Sequence, residues 1–128
     1  MGPKITLRLI AEMGDVCNLW GPPDEFVKQR ETLKRHCDDV GRDESTIEKT
    51  TYDLVVCART EKDLKIKIER LLPKGVEPWM ALVGTPAQLV DVRGEYERVG
   101  ADHLCMDFAG NDPESYALFV EEVMGKFR

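Results

Sequence analysis

The sequence lacks any apolar run long enough to span a bilayer, so it offers no candidate membrane helix. It also lacks a basic cluster. Its 18 Lys and Arg are outnumbered by 24 Asp and Glu, giving a net charge of −6. That balance argues against nucleic acid or an anionic membrane as partner. None of the four cysteines forms a CxxC pair: Cys17, Cys37, Cys57 and Cys105 each sit in an apolar pattern. That is the setting of small buried hydrophobes, not of metal thiolates or a disulfide framework. Four reduced thiols point to the cytoplasm. Internal repeats and low-complexity segments are missing too. What is present is 128 residues, 42% hydrophobic and 33% charged. This suffices for a single domain over residues 1–128 with a core of its own.

Helix and strand signals alternate along the chain. Ile5, Leu9 and Met13 are spaced by four and predict a helix over residues 4–13. A short apolar run over 15–20 lies between Gly14 and Gly21-Pro22-Pro23, which favours a strand. Phe26, Leu33, Cys37 and Val40 mark a second helical stripe, with Gly41 placed to end it. Residues 51–58 carry a continuous apolar centre, the pattern of a strand buried on both faces of a parallel sheet. Thr60 is placed to cap a helix bearing Leu64, Ile68, Leu71 and Leu72. Residues 73–84 read as a long loop holding Trp79 and Met80. Thr85-Pro86 opens a helix that ends at Gly100, residues 104–108 form a third strand, and Asn111-Asp112-Pro113 opens the last helix. Gly94 stands inside a helix with nothing in the sequence to explain it.

Strands alternating with helices imply parallel pairing through helical crossovers. Three parallel strands leave two edges with unpaired backbone groups. The expectation is therefore an α/β chain of three parallel βα units that belongs to a larger sheet or borrows strands from a partner.

Three blocks carry a resemblance. Gly2-Pro3-Lys4, Thr6-Leu7-Arg8-Leu9, Gly14-Asp15 and Asn18 form the first. Leu33, Arg35-His36-Cys37, Val40-Gly41-Arg42-Asp43 and Ile47-Glu48-Lys49-Thr50 form the second. Val83-Gly84-Thr85-Pro86-Ala87-Gln88-Leu89-Val90, with Tyr96, Gly100 and Ala101-Asp102-His103-Leu104, forms the third. In this order and spacing they resemble the C-terminal portion of the luciferase-like oxidoreductases, the subgroup using the deazaflavin F420 most of all. Gly14 stands where alanine is usual there, and Arg93 where an apolar residue is usual. The resemblance implies a (β/α)8 TIM barrel represented by about its strands six to eight, hence an incomplete barrel. It implies F420 or FMN as cofactor, and hydride transfer or oxygen activation on a small organic substrate. It also implies that most of the cofactor site lies on earlier strands, so no catalytic residue carries over.

A few side chains remain as candidates. Gly2 and Lys4, at the start of the first helix, would meet a cofactor phosphate, because free N–H groups and the helix dipole favour an anion there. Asn18 and Trp20 end the first strand, and Asp107 nears the end of the last; in a barrel these ends face the active site, so the three are expected to contact substrate. His36 and Cys37 are helix neighbours that point apart and make no ligand pair; His36 is expected to be solvated, and no metal site is expected. Asp102 and His103 fall on opposite faces of a strand, which disfavours a catalytic couple. Partners are expected to be a small-molecule substrate and a second polypeptide, as a homo-oligomer or through an exposed sheet edge. A non-catalytic α/β binding or assembly domain on the same scaffold is the competing reading.

Overall fold

The computed structural model describes residues 3–127. The elements run α1 (Pro3–Met13), β1 (Val16–Asn18), α2 (Pro23–Val40), β2 (Glu48–Cys57), α3 (Glu61–Leu71), β3 (Leu82–Gly84), α4 (Pro86–Arg98), β4 (His103–Phe108) and α5 (Pro113–Leu118). The chain divides into two compact units. One holds the chain up to Tyr52 together with Arg98–Cys105; the other holds Asp53–Glu97 and the chain from Met106. No helix among the described residues is long and apolar enough to cross a membrane.

The sheet has four strands around β2. In the first unit β1 runs parallel to β2, with Val16, Cys17 and Asn18 opposite Glu48, Lys49 and Thr50. In the second unit β3 runs parallel to it, with Val55, Val56 and Cys57 opposite Leu82, Val83 and Gly84. β4 also pairs with β2. The count corrects the expectation of three strands, and the segment 73–84 is not all loop. It contains a 3-10 turn at Pro78–Met80 and the strand β3. Three residues are too few to show a period of two; pairing with a central strand makes them a strand. β2 likewise starts at Glu48, not at 51, because its polar first residues are recruited by β1.

Local signals set most of the boundaries. Gly41 takes φ 72° and ends α2, its N–H meeting the Asp38 carbonyl while Arg42 N–H reaches that of Cys37 at 2.9 Å. The Thr60 hydroxyl accepts from Asp63 N–H at 3.1 Å and starts α3. At α4 the side chain that caps is Gln88, whose Oε1 accepts from Thr85 N–H at 2.9 Å. Asp112 caps α5 through Ser115 N–H at 3.0 Å. Beyond Leu118 the last helix is not regular: it passes into a π segment, Phe119–Val123, and a 3-10 segment, Met124–Phe127.

In the first unit Leu7, Ala11, Phe26, Leu33 and Cys37 are buried. In the second, Val56, Ala58, Leu64 and Ala109 form a cluster joined by Leu54, Ile68 and Leu71. Cys17, Cys37 and Cys57 are buried as expected, and burial pushes the Cys17 and Cys57 thiols up to about 11. Cys105 is exposed, against expectation, because odd-numbered positions of β4 face out while even ones are half-buried. His36 also departs from the expected solvated state: it is half-buried, and its Nε2 has no hydrogen-bond partner among the described residues. Three residues after Leu33, it shares the shoulder of the buried stripe.

Candidate functional site

In the first unit the candidate surface begins at the α1 N-terminus. Lys4 is exposed there, and Gly2 lies outside the described residues. The first N–H groups of an 11-residue helix have no partner within the helix, so this end carries partial positive charge beside the Lys4 ammonium. At the end of β1, Asn18 is exposed, and its Oδ1 accepts from the Thr50 hydroxyl at 3.1 Å. That bond uses the amide oxygen and leaves the donor capacity of the NH2 outside it.

Trp20 follows in a held backbone. Gln29 donates from Nε2 to the Trp20 carbonyl at 2.7 Å and accepts from its N–H at 3.5 Å. Gly21, at φ 90°, then turns the chain into α2. The backbone is clamped while the residue stays 54% exposed, so the indole offers a flat apolar face to a planar ligand.

In the second unit Asp107 is exposed near the end of β4. The turn after it holds Gly110 at φ 63° and Asn111 at φ 52°, two left-handed residues in succession. A buried polar node fixes this turn. Lys67 of α3 donates to the Cys57 carbonyl at 2.9 Å, to Asp112 at 2.7 Å and to Glu114 at 2.8 Å. The Ser115 hydroxyl accepts from Cys57 N–H at 3.1 Å and lies 2.7 Å from Asp112 Oδ2. Burial alone would raise the Asp112 pKa, but hydrogen bonds from Lys67 and Ser115 outweigh it and hold the carboxyl below its ordinary value. For Lys67, burial works to lower the pKa, and hydrogen bonds to Asp112 and Glu114 outweigh it, so the ammonium is held above. The node ties the end of β2 to the turn after β4. Sequence reading missed it, although one signal was present: Lys67 falls on the buried stripe of α3 between Leu64 and Ile68.

A second polar network lies at the start of β2 and belongs to structure, not to the site. Lys49, 4% exposed, meets Glu44 at 3.3 Å, and Glu44 meets Arg30 at 2.9 Å. Asp102 N–H donates to the Lys49 carbonyl at 2.8 Å, and Asp102 Oδ2 accepts from Lys49 N–H at 2.9 Å. Asp102 is thus committed to strand pairing while His103 is exposed. Among the described residues, no group of three or more His, Cys, Asp or Glu is placed to hold a metal ion.

No protein-family model matches the sequence, and no curated protein matches it. Solved structures do match the fold. The F420-dependent tetrahydromethanopterin reductase of Methanopyrus kandleri superposes with TM-score 0.72 at 17% identity, over 99% of this chain and 49% of its own. An EDTA monooxygenase from Chelativorans sp. BNC1 gives 0.67 at 15%, over 94% of this chain and 43% of its own. An F420-dependent secondary alcohol dehydrogenase gives 0.67 at 14%, over 97% and 46%. The chain thus spans about half the length of the structures it matches. It has an α/β fold with a parallel sheet that is found in these F420-dependent enzymes and monooxygenases, in agreement with the luciferase-like resemblance of its sequence.

Proposed function

We propose that this chain is the C-terminal part of a (β/α)8-barrel oxidoreductase that uses F420 or FMN on a small organic substrate. β1, β2 and β4 take the places of barrel strands six, seven and eight, and β3 is an added strand between the last two. The reading is supported by one observation above others. The match to an F420-dependent reductase has TM-score 0.72 and covers 99% of this chain and 49% of that one. A complete barrel has eight strands and about 250 residues, so the reaction requires strands that this sequence does not carry.

The residues present fit part of such a cofactor. FMN and F420 share a phosphate, and the α1 N-terminus with the exposed Lys4 is suited to an anion. The ring system supplies the hydride or oxygen chemistry when it is bound. The chain's own residues then bind and orient. Lys4 neutralises phosphate charge. Asn18 gives a hydrogen-bond donor and Trp20 a flat face for the substrate. Asp107, separately, offers an acceptor near the end of β4.

Titration of the chain with FMN and with F420, read by cofactor absorbance and tryptophan fluorescence, tests this. Saturable binding of one cofactor is expected, weakened about tenfold by Lys4→Glu, the loss of roughly 1.4 kcal/mol. No saturable binding of either contradicts a cofactor site retained on this chain, and binding indifferent to Lys4→Glu contradicts the phosphate position at the α1 N-terminus. The competing reading, a non-catalytic assembly domain, is favoured by one feature, the exposed apolar stripe of α1.

A further inference from the structure

We infer that the segment Met124–Phe127 is a strap that gates a cleft against α4, held shut by Arg93 on the Phe127 ring. Changes of helix type set it up. α5 is α-helical only to Leu118, and the π segment Phe119–Val123 follows. There Met124 N–H meets the carbonyl of Phe119, five residues back instead of four. The 3-10 segment Met124–Phe127 then tightens the coil. Breaks of this kind in the helical repeat commonly mark hinges.

Burial changes at the same place. Phe119 and Val123, at 2% and 0% exposure, root the π segment in the second unit. Past them no residue of the strap is buried. Met124 is 46% exposed, and a Cβ on Gly125 would meet nothing within 4 Å. The strap is held at its end, where the Arg93 guanidinium lies 4.1 Å from the Phe127 ring centroid. Arg93 Nη1 is itself pinned by Glu97 at 2.7 Å. The contact gives a role to an arginine that stands where the luciferase-like pattern has an apolar residue.

The strap borders a cleft of about 540 Å3. Pro86, Ala87, Val90 and Asp91 of α4 form one wall, and Glu121, Glu122 and Lys126 form the other. Pro86, Val90, Arg93 and Glu97 follow one another at spacings of four, three and four, so they share one side of α4. The latch therefore lies in line with the cleft, beyond its end. Glu122, on the rooted side of the hinge, is tied to Arg59 at 2.8 Å. Lys126, on the other side, moves with the strap. A single partly exposed cation–π contact biases such a segment by about two- to fivefold in population, enough to favour one position and weak enough to release it.

The inference stands apart from the cofactor reading, because strap motion is measured without any cofactor. Hydrogen exchange of the full chain reads the opening of residues 124–127. Arg93→Ala and Phe127→Leu should each speed exchange there about threefold, the double variant no further, with α4 unchanged. A Val90→Cys substitution reads access to the cleft through its labelling by a bulky maleimide, with the exposed Cys105 as internal standard. Adding Arg93→Ala should speed labelling at position 90 about threefold and leave Cys105 as it was. Unchanged exchange over 124–127 overturns the latch. Faster exchange without faster labelling overturns the gate, and faster exchange throughout the second unit overturns the hinge at Val123.

Discussion

Gly94 and Gly100 belong to one helix and its exit, yet they make opposite demands. Gly100 takes φ 93°, and a Cβ there would overlap the Arg30 guanidinium, which donates to the neighbouring Val99 carbonyl at 2.8 Å. Both backbone strain and a fixed neighbour exclude a side chain. Gly94 lies inside α4 with nothing within 4 Å of an added Cβ, so neither space nor backbone requires glycine. Gly94→Ala should therefore raise stability by about 1 kcal/mol, and Gly100→Ala should lower it by about 2 kcal/mol or more. Urea unfolding of both variants checks this; the same sign for both would contradict it. Gly100 was legible in sequence as a helix terminator, but its contact with Arg30 spans 70 positions and leaves no local trace.

At the scale of elements, caps and stripes were legible because their partners lie within four residues. Gly41, Thr60 and Asp112 each mark a boundary within a residue or two of the expected one. β3 was not legible, since its only strand-forming reason is Val55–Cys57, far away in sequence. The Lys67 node was hidden for the same reason: Cys57, Lys67 and Asp112 meet only after α3 has turned back on the strand ends. Of the candidate site, positions at strand ends could be read from the sequence; the Gln29 clamp behind Trp20 could not.

The node also makes a pH-dependent contribution. Lys67→Met removes the cation from a pair whose side chains are 9% and 12% exposed, leaving Asp112 buried and charged. The cost at neutral pH should be about 3 kcal/mol. Asp112 has a depressed folded pKa, so its stabilisation is present above its unfolded pKa and lost as pH falls through the folded value. The penalty of Lys67→Met should therefore shrink in acid, because Asp112 without its Lys67 partner takes up a proton more readily than the paired carboxyl. Urea unfolding at neutral pH and at about pH 3 reads the difference; an equal penalty at both would contradict the role given to the pair.

For the whole molecule, the alternation of helix and strand gave the α/β class and the parallel sheet, and the match over about half of each solved structure agrees with both. Composition could say nothing of cofactor, since the cofactor reading rests on three sequence blocks and on where strand ends fall. Amide and indole chemical-shift mapping of the chain during addition of FMN or F420 examines that reading and the fold together. Shifts are expected at Lys4, Ile5, Asn18 and the Trp20 indole, with Glu48 and His103 at the opposite strand ends unmoved. No shifts with either compound, or shifts gathered at Glu48 and His103 instead, would contradict the assignment of a barrel-type cofactor mouth to this chain.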